Sequence, residues 1–151
     1  MKGSDFASDR PLGVILAVGS GLALLLTLLT LALLAMAGEE GRQELTRESD
    51  RLVALGASRR LVSHLDLFLW TLAGVGVLGV LKGIGLYRGT RRSFQFAIGV
   101  NLLAVLAFVP WVSFENPIRG VLSLASLLVL SGALIAYCAL RLAGRIGPRP
   151  G

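Results

Sequence analysis

Four stretches of this chain carry almost no charged residues, at positions 12–38, 67–81, 94–114 and 120–140. A helix needs about 20 predominantly apolar residues to cross a bilayer, and three of the stretches reach that length. The second stretch has only 15 residues between Asp66 and Lys82. It is long enough only if its helix continues through Lys82 to Tyr87, so Lys82 decides how many helices cross the membrane.

The overall composition agrees with a membrane protein. Of the 151 residues 54% are hydrophobic, and the mean hydropathy is +0.75. Soluble domains are usually about 45–50% apolar. We therefore predict an all-α integral membrane four-helix bundle in a single membrane domain, 1–151, with spans at about 12–37, 65–87, 94–114 and 119–141. A short amphipathic helix at about 42–56 is predicted in the first loop.

The first span has one feature of a cleavable signal, the "AMAG" at Ala35 to Gly38. A secretory signal has an apolar core of about 7–15 residues. Here the apolar run from Leu12 to Ala35 has 24 residues. The length favours a retained membrane anchor over a cleaved signal.

The arginines and lysines predict the orientation of the bundle. With the N-terminus in the cytoplasm, nine basic residues lie inside and six outside. Short loops rich in Lys and Arg face the cytoplasm, and the strongest such signal is the "YRGTRR" turn with Arg88, Arg91 and Arg92. Trp70 and Trp111 would then mark the outer interface. We expect both termini inside, most simply in a prokaryotic cytoplasmic membrane.

The loop at 39–64 is the one sizeable soluble segment, and its five acidic residues balance its five arginines. From Arg42 to Leu55 it has favourable i,i+3 pairs such as Glu48 with Arg51, and Gly56 is expected to end the helix. Leu45, Leu52 and Leu55 would form a narrow apolar stripe. This helix could dock a partner, or it could lie on its own bundle at the membrane interface.

Part of this loop resembles a known family. "LVALGASRRLV", Leu52 to Val62, is similar to the stretch that precedes a transmembrane helix in FtsX-like permease domains, where an R-A-L-G-A-S-R-R-x-V pattern recurs. The large extracytoplasmic domain of those permeases has no counterpart here. The resemblance implies a cytoplasmic loop, and so the inverted topology.

Helices associate in lipid where small residues let their backbones approach. Each predicted span has small residues at helical spacing along one face. The predicted packing residues are Gly13, Ala17 and Gly21 in span one, Gly76, Gly79 and Gly83 in span two, Asn101 between Ala97 and Ala104 in span three, and Gly132 and Ala136 in span four. These faces predict contacts within a compact bundle, and they name no partner.

Two polar side chains interrupt the apolar spans. Asn101 lies in the middle of span three, where its amide needs hydrogen-bond partners. We interpret it as an interhelical clasp to a backbone carbonyl or to a Ser or Thr on a neighbouring helix, with a substrate or ion ligand as the alternative. Lys82 lies about 7.5 Å from Tyr87 along the helix, so its stem could carry the ammonium to the inner headgroups. We interpret Lys82 as a membrane anchor, with an ion-pathway charge as the alternative.

No catalytic signature is present in the sequence. The chain contains no G-x-S-x-G, H-E-x-x-H or C-x-x-C motif, and G-x-G-x-x-G at Gly74 to Gly79 lies within an apolar helix. His64 and Asp66 are too few for a metal site. The basic residues flank spans and are not interleaved with aromatics, which argues against nucleic acid. We predict a protein that is not an enzyme and that binds no metal or cofactor.

A second resemblance covers most of the chain. "RPLGVILAV" at Arg10 to Val18 and "GIGLYRGTRRSFQF" at Gly83 to Phe96 are similar to segments of a loose group of small prokaryotic four-helix membrane proteins of uncharacterised function. Phe94 and Phe96 replace the tryptophans usual in that group. The resemblance implies a fold and no activity.

The leading functional hypothesis is an accessory or structural subunit, packed in a homo-oligomer or against another membrane protein. The alternatives are a small transporter or channel component with a pathway past Asn101, and an architectural protein of an envelope or virion membrane. The expected partners are membrane lipids and membrane proteins.

Overall fold

The computed structural model describes residues 9–54, 59–111 and 117–146, and these residues are almost entirely helical. The helices are α1 (Asp9–Met36), α2 (Gly38–Ala54), α3 (Arg59–Ser63), α4 (Leu65–Arg88), α5 (Arg91–Phe108) and α6 (Pro117–Leu142). A 3-10 turn at Val109–Trp111, which contains Pro110, extends α5. The predicted all-α fold is confirmed.

In the described ranges four helices are long and apolar enough to cross a membrane, which identifies the chain as an integral membrane protein. These spans are Arg10–Met36, Leu65–Arg88, Arg91–Trp111 and Val121–Leu142. Helix α4, the second span, runs through Lys82 without a break, because a single lysine does not interrupt helical hydrogen bonding. The spans three and four differ from their predicted bounds by a few residues at each end.

The turn between α4 and α5 has a local cause at each residue. Gly89 has φ of 68°, a left-handed conformation that glycine adopts without a steric penalty, and its N–H donates to the carbonyls of Gly85 and Leu86. Thr90 then caps α5, since its side chain accepts a hydrogen bond from the Ser93 N–H. The two-residue connection makes α4 and α5 an antiparallel hairpin.

This hairpin defines what we call the basic end of the bundle. Arg88, Arg91 and Arg92 lie there, and all three are exposed. The first turn of α1 is at the same end, since the Arg10 guanidinium lies 5.6 Å from the centre of the Tyr87 ring. The basic residues that dominate the orientation prediction therefore share one end of the molecule.

Helices α1 and α4 are in backbone contact near the basic end. A Cβ atom added to Gly83 would lie 2.7 Å from the Ala17 Cα, and one added to Gly13 would lie 2.9 Å from the Tyr87 Cα. Real Cβ atoms do not approach other heavy atoms so closely, so only glycine fits at Gly13 and Gly83. The two backbones meet because these side chains are missing.

The same interface continues toward the other end of the bundle and becomes looser. A Cβ on Gly79 would lie 2.8 Å from the Ser20 Cβ, whereas one on Gly76 would lie 3.2 Å from the Leu24 Cβ. A Cβ on Gly21 would make an ordinary contact with Val80 at 3.8 Å. The small-residue faces predicted for spans one and two therefore lie against each other, with the tightest contact near the basic end.

The small-residue face predicted for span four does not pack against the other helices in the part of the chain that the structure describes. Gly132 has no heavy atom within 4 Å of the place where a Cβ would stand, and Ala136 is exposed. The buried positions of α6 are instead Ser131, Cys138 and Arg141. Residues 3, 4 and 7 apart share a helix face, so burying Ser131 turns Gly132 about 100° away. The assignment of Gly132 and Ala136 to packing inside the bundle was wrong.

The apolar core is small and lies near the basic end. It consists of Leu86 from α4, Phe94 and Ala97 from α5, and Cys138 from α6. Leu16 of α1 is packed against this cluster. All four spans therefore meet here.

Helix α2 begins at Gly38, four residues before its predicted start, because Gly38 has φ of 61° and turns the chain directly after α1. It contacts chiefly its chain neighbours α1 and α3. The predicted pair of Glu48 and Arg51 is present at 2.9 Å on the surface. The side chains of Leu45, Leu52 and Leu55 and the predicted stop at Gly56 lie outside the described residues.

Candidate functional site

Two polar residues from neighbouring spans meet in the interior of the bundle. The Lys82 Nζ donates a hydrogen bond to the Asn101 Oδ1 at 3.2 Å. The Asn101 Nδ2 donates to the backbone carbonyl of Ala97, one turn earlier in α5, at 2.7 Å. Lys82 is 9% exposed and Asn101 is 5% exposed. The pair links α4 to α5 in a largely apolar environment.

The position of Lys82 corrects its interpretation as a membrane anchor. Its ammonium is not directed to the headgroups, because it is buried and bonded to Asn101. The reason is geometric, since Cα–Cβ bonds in a helix tilt toward the helix N-terminus. Helix α4 ends at the basic end, so its side chains start toward the middle of the membrane. Arg88, Arg91 and Arg92 remain exposed at the basic end, as an anchoring role requires.

Asn101 does link two helices, as the clasp hypothesis expects, but through a different partner. The expected partner was a backbone carbonyl or a hydroxyl on a neighbouring helix. The structure instead gives it a lysine on α4 and a carbonyl on its own helix. Two polar residues considered separately in the sequence are thus one site, which we call the Lys82–Asn101 pair.

The membrane-spanning part of the chain holds no carboxylate to balance Lys82. Between Asp66 and Arg141 the sequence contains one acidic residue, Glu115. Glu115 lies outside the described residues. Asp66 is 16 residues before Lys82 in the same helix, about 24 Å along its axis. Neither Asp66 nor Asp9, the first residue of α1, stands at the depth of Lys82, so these four helices supply no carboxylate to the ammonium.

A cavity of about 630 Å³ adjoins the pair. Its lining comes from all four spans: Leu12 and Leu16 of α1, Lys82 of α4, Asn101 of α5, and Leu130, Ser131, Ala133, Leu134 and Tyr137 of α6. Within the described residues α1 packs closely on α4 and α5 packs on α6, while the backbones of α1 and α6 make at most marginal contact. We call this space the α1/α6 cleft.

The polar groups of the cleft lie together on its inner surface. Ser131 is 8% exposed and faces the cleft from α6, beside the Lys82–Asn101 pair. Cys138 lies two turns further along the same face of α6 and is buried in the apolar core. The arrangement can hold an anionic or hydrogen-bonding group against apolar walls.

Arg141 is a buried residue whose role the sequence reading missed. It is 3% exposed, its Nη1 donates to the Ile146 carbonyl at 2.9 Å, and its guanidinium lies 5.9 Å from the centre of the Phe94 ring. It follows Ser131 and Cys138 on the buried face of α6. The spacing of 7 residues from Ser131 to Cys138 and of 3 residues from Cys138 to Arg141 places all three on one helix face, and this spacing is the sequence signal for the burial of Arg141.

The opposite end of the bundle has a second cavity of about 420 Å³, lined by Arg60, His64, Leu67, Thr71, Ala107, Pro110 and Trp111. Trp111 packs edge-on against Phe68 at 5.3 Å, whereas Trp70 is 63% exposed on the lipid-facing side. Both tryptophans lie at this end, as predicted from their positions in antiparallel spans. In the described part of the chain, no three His, Cys, Asp or Glu residues are grouped to hold a metal.

Comparison with known proteins gives no relative on which to base a function. No protein-family model, curated protein or solved structure matches the chain. The functional argument therefore depends on the site alone.

Proposed function

We propose that this protein is a non-enzymatic polytopic membrane protein that binds an anionic group in the α1/α6 cleft, as a small transporter or channel component. The observation that carries the proposal is the buried Lys82–Asn101 pair on the wall of a cavity. Ionisable residues inside membrane helices are rare, and they mark substrate or ion pathways and ligand counter-ions. This puts the transporter alternative ahead of the accessory-subunit hypothesis.

The energetics support a role beyond packing. On insertion scales a lysine costs about 2.5–3.5 kcal/mol at the centre of a membrane helix and less toward its ends, and Lys82 is buried six residues before the end of α4. One side-chain hydrogen bond inside a membrane protein returns about 0.6–2 kcal/mol, so Asn101 offsets only part of that cost. An anionic ligand would offset the remainder, and the cleft gives it access to Lys82.

Uptake of small organic acids into proteoliposomes tests this proposal. We expect the wild type to accelerate uptake and Lys82→Met to abolish the acceleration, because methionine keeps the apolar stem and removes the ammonium. Arg88→Gln is the matched control, since it removes an exposed basic residue from the same helix and should leave uptake unchanged. Uptake that is equal in Lys82→Met and wild type would contradict the proposal.

A second candidate function is the accessory or structural subunit. Gly132 and Ala136 favour it, because they form a small-residue face of α6 that does not pack inside the chain. Such a face allows close approach of another helix, either from a second copy or from another membrane protein. Crosslinking in cells followed by identification of the captured chains tests it, and Gly132→Leu should abolish the capture.

For location, we propose a prokaryotic cytoplasmic membrane with both termini inside. The shared basic end supports this orientation through the positive-inside rule. The resemblances to the small prokaryotic membrane proteins and to FtsX-like permeases stay predictions, and the second implies the opposite orientation. Reporter fusions at Gly41 and Gly89 separate the two, since a cytoplasmic signal at Gly41 would reverse the proposed topology.

A further inference from the structure

Apart from Lys82, Asn101, Ser131 and Tyr137, the residues that line the α1/α6 cleft are apolar. Leu12 and Leu16 line one side, and Leu130, Ala133 and Leu134 line the other. Leu130 is 72% exposed on the outer surface of the bundle. Since this surface faces lipid in a membrane, the mouth of the cleft opens toward acyl chains, and a ligand can enter sideways.

The size of the cleft favours a small molecule over a protein helix as its ligand. Ligand cavities usually measure about 300–1,000 Å³, and this cavity has about 630 Å³. Its α6 wall runs from Leu130 to Tyr137, about 10.5 Å along the helix. A transmembrane helix needs a groove of about 30 Å. The cleft therefore accommodates part of a lipid-like molecule better than a helix of a partner.

The charge of the site excludes a second copy of this chain as the source of the counter-ion. The acidic residues of the four spanning helices are Asp9, the first residue of α1 at the basic end, and Asp66, near the start of α4 at the opposite end. A second copy in either orientation could not bring either residue to the depth of Lys82, since both stand at the ends of their helices. The anion must belong to another molecule.

The depth of Lys82 in the bundle favours a fatty-acid carboxylate over a phospholipid headgroup as the anion. Lys82 lies six residues before Arg88, about 9 Å below the basic end, and its side chain starts toward the membrane centre. A phospholipid headgroup carries further polar groups that hold it at the surface. A carboxylate attached directly to one acyl chain has a single charge, which one ammonium can balance.

We infer that the α1/α6 cleft binds a single-chain amphiphile with a carboxylate head, of the long-chain fatty acid class, with the carboxylate on Lys82 and Asn101 and the chain along the leucines. This inference rests on the proposed function and names its substrate class. The Asn101 amide carries two N–H groups and donates one to the Ala97 carbonyl, so the other can donate to the carboxylate. Lys82 supplies the positive charge and is therefore the principal recognition residue.

Equilibrium binding of labelled palmitate to the protein in nanodiscs of zwitterionic lipid tests the inference. We expect saturable binding to the wild type and at least tenfold weaker binding to Lys82→Met. Arg88→Met is the matched control and should bind as the wild type does. Ala133→Phe fills the cleft and keeps the lysine, so it should also weaken binding at least tenfold. If Lys82→Met fails to fold by circular dichroism and gel filtration, Ala133→Phe decides.

Two further ligands separate this inference from the proposed function. The alcohol with the same chain length as palmitate should bind at least tenfold more weakly, and equal binding would overturn the inference because the charge would not be recognised. If acetate binds in a Lys82-dependent manner and palmitate does not, the amphiphile is wrong and the proposed function stands. If phosphate binds in a Lys82-dependent manner and no carboxylate does, the inference is wrong and the proposed function stands; if neither phosphate nor any carboxylate does, both are wrong.

Discussion

Helix α1 meets its two neighbours in opposite ways. Against α4 it makes backbone contact, with Gly83 lying on Ala17. Toward α6 it leaves a cleft of about 630 Å³ lined by leucines, with Lys82 on its inner surface. Lipid tails are as apolar as leucine, so burial gives no driving force to close such a gap. Backbone contact requires small residues, and where they are absent a bundle in lipid can stay open.

The largest expected effect comes from disrupting the backbone contact between α1 and α4. Gly83→Leu would place its side chain in the backbone of Ala17, so we expect it to reduce the free energy of unfolding by about 3 kcal/mol. Unfolding in mixed micelles measures this. Gly74→Leu is the matched control on the same helix, since a Cβ there meets nothing within 4 Å. Equal effects of the two substitutions would show that α1 and α4 are not in backbone contact.

The second prediction concerns the Lys82–Asn101 pair on the wall of the α1/α6 cleft. Asn101→Leu removes the hydrogen-bond partner of a buried ammonium, so we expect a loss of about 1–3 kcal/mol. Lys82→Met should be near neutral or stabilising, because an apolar side chain of similar length replaces a buried charge. In the double variant, Asn101→Leu should cost at least 0.5 kcal/mol less than alone, as roughly expected for residues in contact. Strict additivity would mean that the pair does not interact.

The third prediction concerns how α6 is held while the cleft stays open. Arg141→Gln removes the guanidinium that lies against Phe94 and bonds to the Ile146 carbonyl, so we expect a loss of about 1–2 kcal/mol. Arg145→Gln is the control, because Arg145 is exposed in the next turn and should change stability by less than about 0.5 kcal/mol. A similar effect of both would place Arg141 outside the core.

The smallest effect is expected on the outward face of α6. Gly132→Ala should change the free energy of unfolding of the isolated chain by less than about 1 kcal/mol, with the alanine favoured by its helix propensity. Nothing lies near this position to obstruct a methyl group. A marked loss of stability would mean that Gly132 packs against another helix. If the loss depends on protein concentration, that helix belongs to a second copy.

Apolar length predicts the fold, and small-residue spacing predicts the faces of α1 and α4, because both are local signals; neither signal shows that these two faces meet. The sequence does not predict the site, because joining Lys82 to Asn101 requires the register of α4 against α5. The anchor interpretation of Lys82 depends on its distance to Tyr87, and it leaves out the tilt of side chains toward the helix N-terminus. The error at Gly132 arose because small residues mark a possible contact without showing which face a neighbour uses.

The most direct test of the account is to locate the Lys82 ammonium in lipid bilayers by solid-state NMR. The chain has two lysines, Lys2 and Lys82, and two asparagines, Asn101 and Asn116, so selective labelling with a Lys2→Arg background isolates the lysine signal. We predict magnetisation transfer from the Lys82 15Nζ to the Asn101 13Cγ, and none to the 31P of the headgroups. Transfer to 31P without transfer to Asn101 would restore the anchor interpretation and contradict the proposed site.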